Sequence, residues 1–211
     1  MIRPRGVLIA VLASLLMLAS CSSPSNNAEK KTDEAAKPAA TEATGTYKVL
    51  MATSKGDITI EVHRDWAPIG AQHFHELVEA GFYDNARFFR YVPNFVVQFG
   101  LAADPAVTKK WDTPISDDPV THVNRTGSLS FATAGPNTRT SQLFINLRTN
   151  QTLDDQGFAP FAQIVDGDTV VAKIYSGYGE QPDQDAIRLQ GNAYLLKSYP
   201  KLDYIKTAKV L

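Results

Sequence analysis

The chain has 211 residues, 44% hydrophobic and 20% charged, which excludes collagenous, coiled-coil and wholly disordered proteins. Its 21 lysines and arginines face 22 acidic residues, so no basic surplus exists to neutralise nucleic-acid phosphates. One cysteine, Cys21, excludes an internal disulfide and a multi-cysteine zinc site.

The first 45 residues differ in character from the rest. Arg3 and Arg5 precede an uncharged apolar run, Gly6 to Ala19. A membrane span needs about 20 apolar residues. The run is shorter than that and has the layout of a secretory signal. It ends in Leu18-Ala19-Ser20-Cys21, which resembles the bacterial lipoprotein signal. That resemblance implies a cleaved signal over residues 1–20 and a lipid on Cys21. It places the protein on the periplasmic face of a bacterial cell envelope. Ser22 stands where some bacteria use an aspartate for inner-membrane retention, so the outer membrane is expected if the host has two. Residues 22–45 contain no Val, Ile, Leu or aromatic side chain. Such a segment buries too little apolar surface to offset its ordering entropy. Residues 21–45 are therefore expected to be the lipidated cysteine and a flexible tether, with a reach of roughly 27 Å.

Residues 46–211 are enough for one domain with a sizeable core. YKVLMAT and DITIEVH alternate around Ser54-Lys55-Gly56, which predicts a strand, a short turn and a strand. Pro68 to Ala80 has helical periodicity, with Gly81 as its stop. Ile69, Phe74, Leu77 and Val78 are its expected buried side. RFFRYV, FVVQFG, GSLSFAT, QLFINL and APFAQIV read as further strands. TVVAKIYSG and NAYLLKSY suggest short helices, and YIKTAKVL a closing strand. Many strands, few helices and polar loops predict a mainly β fold, a closed antiparallel barrel.

The common enzyme signatures fail. His75-Glu76-Leu77-Val78-Glu79 lacks the second histidine of HExxH, and His73 and His75 do not share a helix face. Both read as solvated, as do the carboxylate pairs Asp117-Asp118 and Asp154-Asp155. Gly127 to Phe131 is not a nucleophile elbow. There is no phosphate loop, and Gly177-Tyr178-Gly179 reads as a plain loop.

Two segments are informative together. In FRYVPNFVVQFG, Arg90 and Gln98 interrupt an otherwise apolar strand pair. A guanidinium and an amide over an apolar wall make a shallow, polar-tipped pocket. In SFATAGPNTRTSQLFI, a small-residue strand runs through a Gly-Pro-Asn-Thr turn into another strand. Ala132-Thr133-Ala134 is small enough to let another backbone approach. By themselves these are also what two barrel strands with a turn and a structural salt bridge at Arg90 would give.

The two segments resemble the cyclophilin patterns FHRxxPxFxxQxG and SMANxGPNTNGSQFFI. Thr152-Leu153-Asp154 and Gly157-Phe158-Ala159-Pro160-Phe161 are similar to the next segment of that family, in its bacterial form. Order and spacing agree over residues 46–211. The resemblance implies an eight-stranded antiparallel barrel closed by two α-helices, and peptidyl-prolyl cis–trans isomerase activity on proline-containing polypeptides. It implies no metal, no cofactor and no covalent intermediate. Arg90, Phe95, Gln98 and Phe144 are the implied catalytic residues. Val96, Ala132, Thr133, Ala134, Gln142, Leu153 and Phe158 are the implied substrate-binding ones. The chain departs from the pattern at Thr133, where asparagine is usual, and at Asn94 and Phe99, where glycines are common. Thr152 and Phe158 replace a tryptophan and a histidine of many eukaryotic members. The expected protein is a monomeric, lipid-anchored isomerase that assists folding of exported proteins. The alternatives are a proline-peptide-binding chaperone with weak turnover and, far behind, a metal-dependent hydrolase using His73, His75 and Glu79.

Overall fold

A computed structural model describes residues 45–211. The expected signal, Cys21 and almost all of the tether lie outside the described residues. Alternation builds the first hairpin, β1 (Thr46–Thr53) and β2 (Gly56–His63), closed by a tight turn in which the Lys55 amide donates to Thr53 Oγ1 at 3.1 Å. Helix α1 (Pro68–Glu79) follows. Then come β3 (Arg90–Val92), β4 (Val96–Phe99), α2 (Pro105–Lys110), β5 (Ser128–Phe131) and β6 (Leu143–Asn146). A 3-10 turn (Gln151–Leu153) leads to β7 (Pro160–Asp166) and three short helices, α3 (Asp168–Val171), α4 (Gln184–Gln190) and α5 (Asn192–Ser198). Strand β8 (Ile205–Val210) completes the sheet.

The eight strands form one antiparallel sheet in the order β3-β4-β6-β5-β7-β2-β1-β8. Its concave side wraps a core that includes Val49, Met51, Ile58, Ile60, Val97, Phe99, Phe131 and Phe161. Phe74 and Leu77 of α1 enter the same core, and α1 lies against β2, β7 and β8.

The fold corrects four expectations. The sheet is an open half-barrel, not a closed barrel, with β3 and β8 at its two edges. The free edge of β3 is taken by a loop: the Tyr91 N–H donates to the Gly179 carbonyl at 3.0 Å. The loop thereby occupies an edge donor that could otherwise pair with another strand. The chain just before β3 laces across the gap instead, with the Phe88 amide on the Asp203 carbonyl and the Asn85 amide on that of Ile205.

Five α-helices stand among the described residues, where the resemblance implied two and the sequence pattern suggested three. Helices α2 and α4 are too short to show periodicity. Each starts at an aspartate N-cap, Asp104 accepting from the Ala106 amide and Asp183 from that of Ala186, both at 2.8 Å.

The surface assignment of α1 also changes. Ile69 is exposed and His73 is buried. The solvated reading of Asp118 is overturned too. Its carboxylate accepts the Ile69 and Gly70 amides at 2.9 and 2.8 Å, and pairs with Arg139 Nη1 at 3.0 Å. Ala67 supplies no side-chain cap to α1, so a residue 48 positions after Gly70 satisfies the orphan N–H groups of the first turn.

Candidate active site

Residues directly opposite one another in a ladder project to the same face. Arg90 pairs with Gln98, Gln98 with Phe144, and Phe144 with Ser130, forming one row across four strands. The adjacent row, Tyr91, Val97, Ile145 and Leu129, faces the core. The Arg90 row therefore lies on the convex face, outside the barrel.

There, Val96, Phe144 and Leu153 form a second apolar cluster, with Phe95, Ala132 and Phe158 packed against it. The Phe144 and Phe158 rings meet edge to face at 5.5 Å. Above this floor is a cleft of about 530 Å³. Every expected site residue of the described chain lines it. Arg90, Phe95, Val96 and Gln98 come from β3, β4 and their connection. Ala132, Thr133 and Ala134 come from the segment after β5, Gln142 and Phe144 from the approach to β6 and β6 itself, and Leu153 and Phe158 from the following loop.

The polar side of the cleft is a relay. Arg90 Nη1 donates to Gln98 Oε1 at 3.2 Å, and Gln98 Nε2 donates to Gln142 Oε1 at 2.8 Å. Gln98 and Gln142 are buried and Arg90 half-buried. Such a chain sets the orientation of both amides and leaves N–H groups of the guanidinium free to donate.

The backbone that carries these groups uses positive φ where the chain must turn. Asn94 has φ +56° between β3 and β4, a conformation that asparagine tolerates as glycine does. Gly100 has φ +100°, and a Cβ there would sit 2.4 Å from the Ser141 carbonyl oxygen. A side chain at that position would push apart β4 and the segment bearing Gln142. Thr133 does not reach into the cleft as a lone donor: its hydroxyl meets that of Thr138 at 2.7 Å and also bonds the Gly135 carbonyl. It braces the Gly-Pro-Asn-Thr turn.

Sequence reasoning missed several residues. A buried polar network holds the loop that bears Leu153 and Phe158. Asn124 Nδ2 donates to Asp154 Oδ1 at 2.7 Å and to the Phe158 carbonyl at 2.8 Å. Asn124 Oδ1 accepts from Ser130 and Asn146, and Asn150 Nδ2 donates to Asn146 Oδ1 at 2.8 Å. In sequence Asp154 reads as a solvated loop carboxylate, and no motif marks the asparagines. Gln184, Asp185 and Arg188 of α4 close one side of the cleft, and Glu180 pairs with Arg90 at 2.5 Å. No motif marks that segment.

His73, His75 and Glu79 do not gather. His73 Nε2 meets the Thr140 carbonyl at 2.7 Å, and His75 lies edge-on to Tyr47. Burial pulls the His73 pKa below its ordinary value, against the opposing effect of the Thr140 hydrogen bond.

The family model for cyclophilin type peptidyl-prolyl cis-trans isomerase/CLD matches residues 48–191. The chain belongs to the cyclophilin family. A peptidyl-prolyl cis-trans isomerase of Acinetobacter baylyi is 36% identical over 132 residues, 60% of this chain and 70% of that one. The isomerase ppi1 of Schizosaccharomyces pombe is 37% identical over 133 residues, 60% of this chain and 83% of its own. A crystal structure of a Cryptosporidium parvum cyclophilin, 22% identical, covers 79% of this chain and 98% of that one with a TM-score of 0.60, a likeness of fold. A second structure of that protein, determined in the presence of the dipeptide Ala-Pro, superposes with a TM-score of 0.58 at 25% identity. In this cyclophilin the cleft lies on the convex face, between β4, β6 and the loops that flank them.

Proposed function

We propose that this cyclophilin catalyses rotation about X-Pro peptide bonds at the cleft around Arg90. The observation that carries this reading is Arg90, held by Gln98 and Gln142, beside the apolar floor of Val96, Phe144 and Leu153. An X-Pro amide isomerises over a barrier of about 18–20 kcal/mol, because rotation breaks amide resonance. In the twisted state the prolyl nitrogen becomes pyramidal and regains a lone pair. A donor aimed at that nitrogen stabilises the twisted amide over the planar one. The proline ring occupies the floor, Phe95 and Phe158 flank it, and the Ala132-Thr133-Ala134 backbone receives the residues before proline. The likeness to a structure obtained with Ala-Pro agrees with proline peptides as ligands.

The sequence supports a location for this activity. Arg3, Arg5, the apolar run and Cys21 favour export in a bacterium, cleavage after Ser20 and a lipid anchor, with a monomeric domain tethered near the membrane. Its clients are then exported polypeptides.

The test is an isomerase assay on a prolyl tetrapeptide with the full-length protein and its Arg90→Ala variant. The variant should lose on the order of 10²–10³ in kcat/KM, the range for one preorganised donor. Equal turnover by the two folded proteins overturns the mechanism. Tight peptide binding with little turnover in the unsubstituted protein favours the chaperone alternative.

A further inference from the structure

The segment between α3 and β8 is organised around a small core of its own. Ile187, Leu195 and Leu202 meet Phe89 and Leu101, with Tyr178, Tyr194 and Tyr199 packed against them. The Tyr178 ring stands edge-on to Tyr175 at 5.0 Å and to Tyr199 at 5.1 Å. The Tyr199 hydroxyl donates to the Gln181 carbonyl at 2.9 Å, and Tyr91 of β3 donates its amide to the Gly179 carbonyl. The loop over residues 176–181 is thus braced by aromatic rings and pinned to the strand that bears Arg90.

Its product is Glu180. One carboxylate oxygen, Oε1, accepts from Arg90 Nε at 2.6 Å and from Nη2 at 2.5 Å. Glu180 does not line the cleft. It lines the neighbouring groove with Tyr91, Val92 and Pro93. The carboxylate therefore grips the guanidinium from the side away from the floor, while Gln98 takes Nη1. The Glu180 side chain is 60% exposed, and ion pairs so exposed add little to stability. What the contact does is hold one orientation of a long, rotamer-rich side chain.

We propose that Glu180 is a positioning residue for isomerisation, fixing Arg90 so that its remaining N–H groups face the twisted amide. The proposal rests on the isomerase reading above. Without the carboxylate, Arg90 keeps only its bond to Gln98 and swings between rotamers. The donor is then in place for a fraction of encounters, and misplacement by an ångström is costly. Proline binding, which uses the apolar floor, is largely unaffected.

The experiment measures kcat and KM on a prolyl tetrapeptide for the full-length protein, Glu180→Ala, Glu180→Gln, Arg90→Ala and the Arg90→Ala/Glu180→Ala pair. Glu180→Ala should lower kcat roughly tenfold with little change in KM. Glu180→Gln retains an acceptor oxygen and should fall between the two. Adding Glu180→Ala to Arg90→Ala should cost nothing further, because the two act as a unit. The Arg90 Nε–H signal in a nitrogen–proton spectrum should exchange faster with water in Glu180→Ala than in the unsubstituted protein. Unchanged or raised kcat in Glu180→Ala, or an equal loss when Arg90 is already alanine, overturns the proposal and leaves the isomerase reading standing. Absence of turnover in the unsubstituted protein overturns both.

Discussion

Arg90 and Gln98 face each other across the β3–β4 ladder, and their side chains meet at 3.2 Å. The register of a three-residue strand thus decides which face of the sheet carries the guanidinium. A slip of one residue would turn Arg90 into the core and Tyr91 out to the cleft. Gln98 is held in turn by Gln142, so the donor geometry of Arg90 depends on a residue 52 positions away in sequence.

Replacing that intermediary should expose the dependence. Gln98→Leu keeps the volume, removes the acceptor for Arg90 and strands the Gln142 oxygen. Loss of orientation should lower kcat/KM by roughly 10- to 100-fold. Leaving one buried acceptor unpaired should cost about 1–3 kcal/mol in stability. Steady-state assays and denaturant unfolding separate the two effects. A variant with normal kcat/KM would show that the relay is ornamental to turnover.

Asp118 should be a stability residue, not a catalytic one. Its side chain is 1% exposed, and that of its partner Arg139 4%. Asp118→Ala leaves Arg139 buried without this carboxylate and frees two amides at the start of α1. Asp117, 3.2 Å from Arg139 Nε, keeps part of the compensation, so the loss should lie near the low end of the range for a broken buried pair, about 3 kcal/mol. For a chain of this size that corresponds to a fall in Tm of roughly 10 °C. Calorimetry is the measurement, and a fall of only a degree or two would contradict the assignment.

His73 predicts how stability responds to acid. Burial lowers its folded pKa, so the folded protein resists protonation that the unfolded chain accepts at about 6.5. Above that pH both states are neutral and no penalty exists. As pH falls through the unfolded pKa towards the folded one, the unfolded chain binds the extra proton and stability declines. Glu76, whose carboxylate lies 4.0 Å from Nδ1, moderates the effect, and Arg139 reinforces it. Tm measured at pH 7.5 and 5.5 should fall further in the unsubstituted protein than in His73→Gln. Equal falls would place the acid sensitivity elsewhere.

For the proposed anchor, Cys21→Ser should abolish incorporation of labelled fatty acid and cleavage after Ser20. Isomerase activity should persist, because Cys21 lies outside the segment that matches the family. Retained labelling in the variant, or a native protein that is released soluble after export, would refute the lipoprotein reading.

The strand alternation of β1 and β2, the Pro68–Gly81 helix and the two segments around Arg90 and Gln142 are local features. Their periods and turn residues are written in consecutive positions, so they can be read without coordinates. The grouping of Arg90, Phe144, Leu153 and Phe158 came through resemblance, and the geometry places all four on one cleft. What the tertiary structure alone decided are relations between residues far apart in the chain. Asp118 looked like a solvated loop carboxylate because nothing near it in sequence needs an acceptor. It is buried because α1 and Arg139 both bring unsatisfied donors to it. Glu180, next to the plain loop Gly177-Tyr178-Gly179, carries no local signal, since its partner is 90 residues away. The covering of the β3 edge likewise depends on where the Gly179 carbonyl comes to rest. Periodicity reports which face an element buries. It carries no record of which distant donor or acceptor will be waiting there, because that pairing forms only when the chain has already closed on itself.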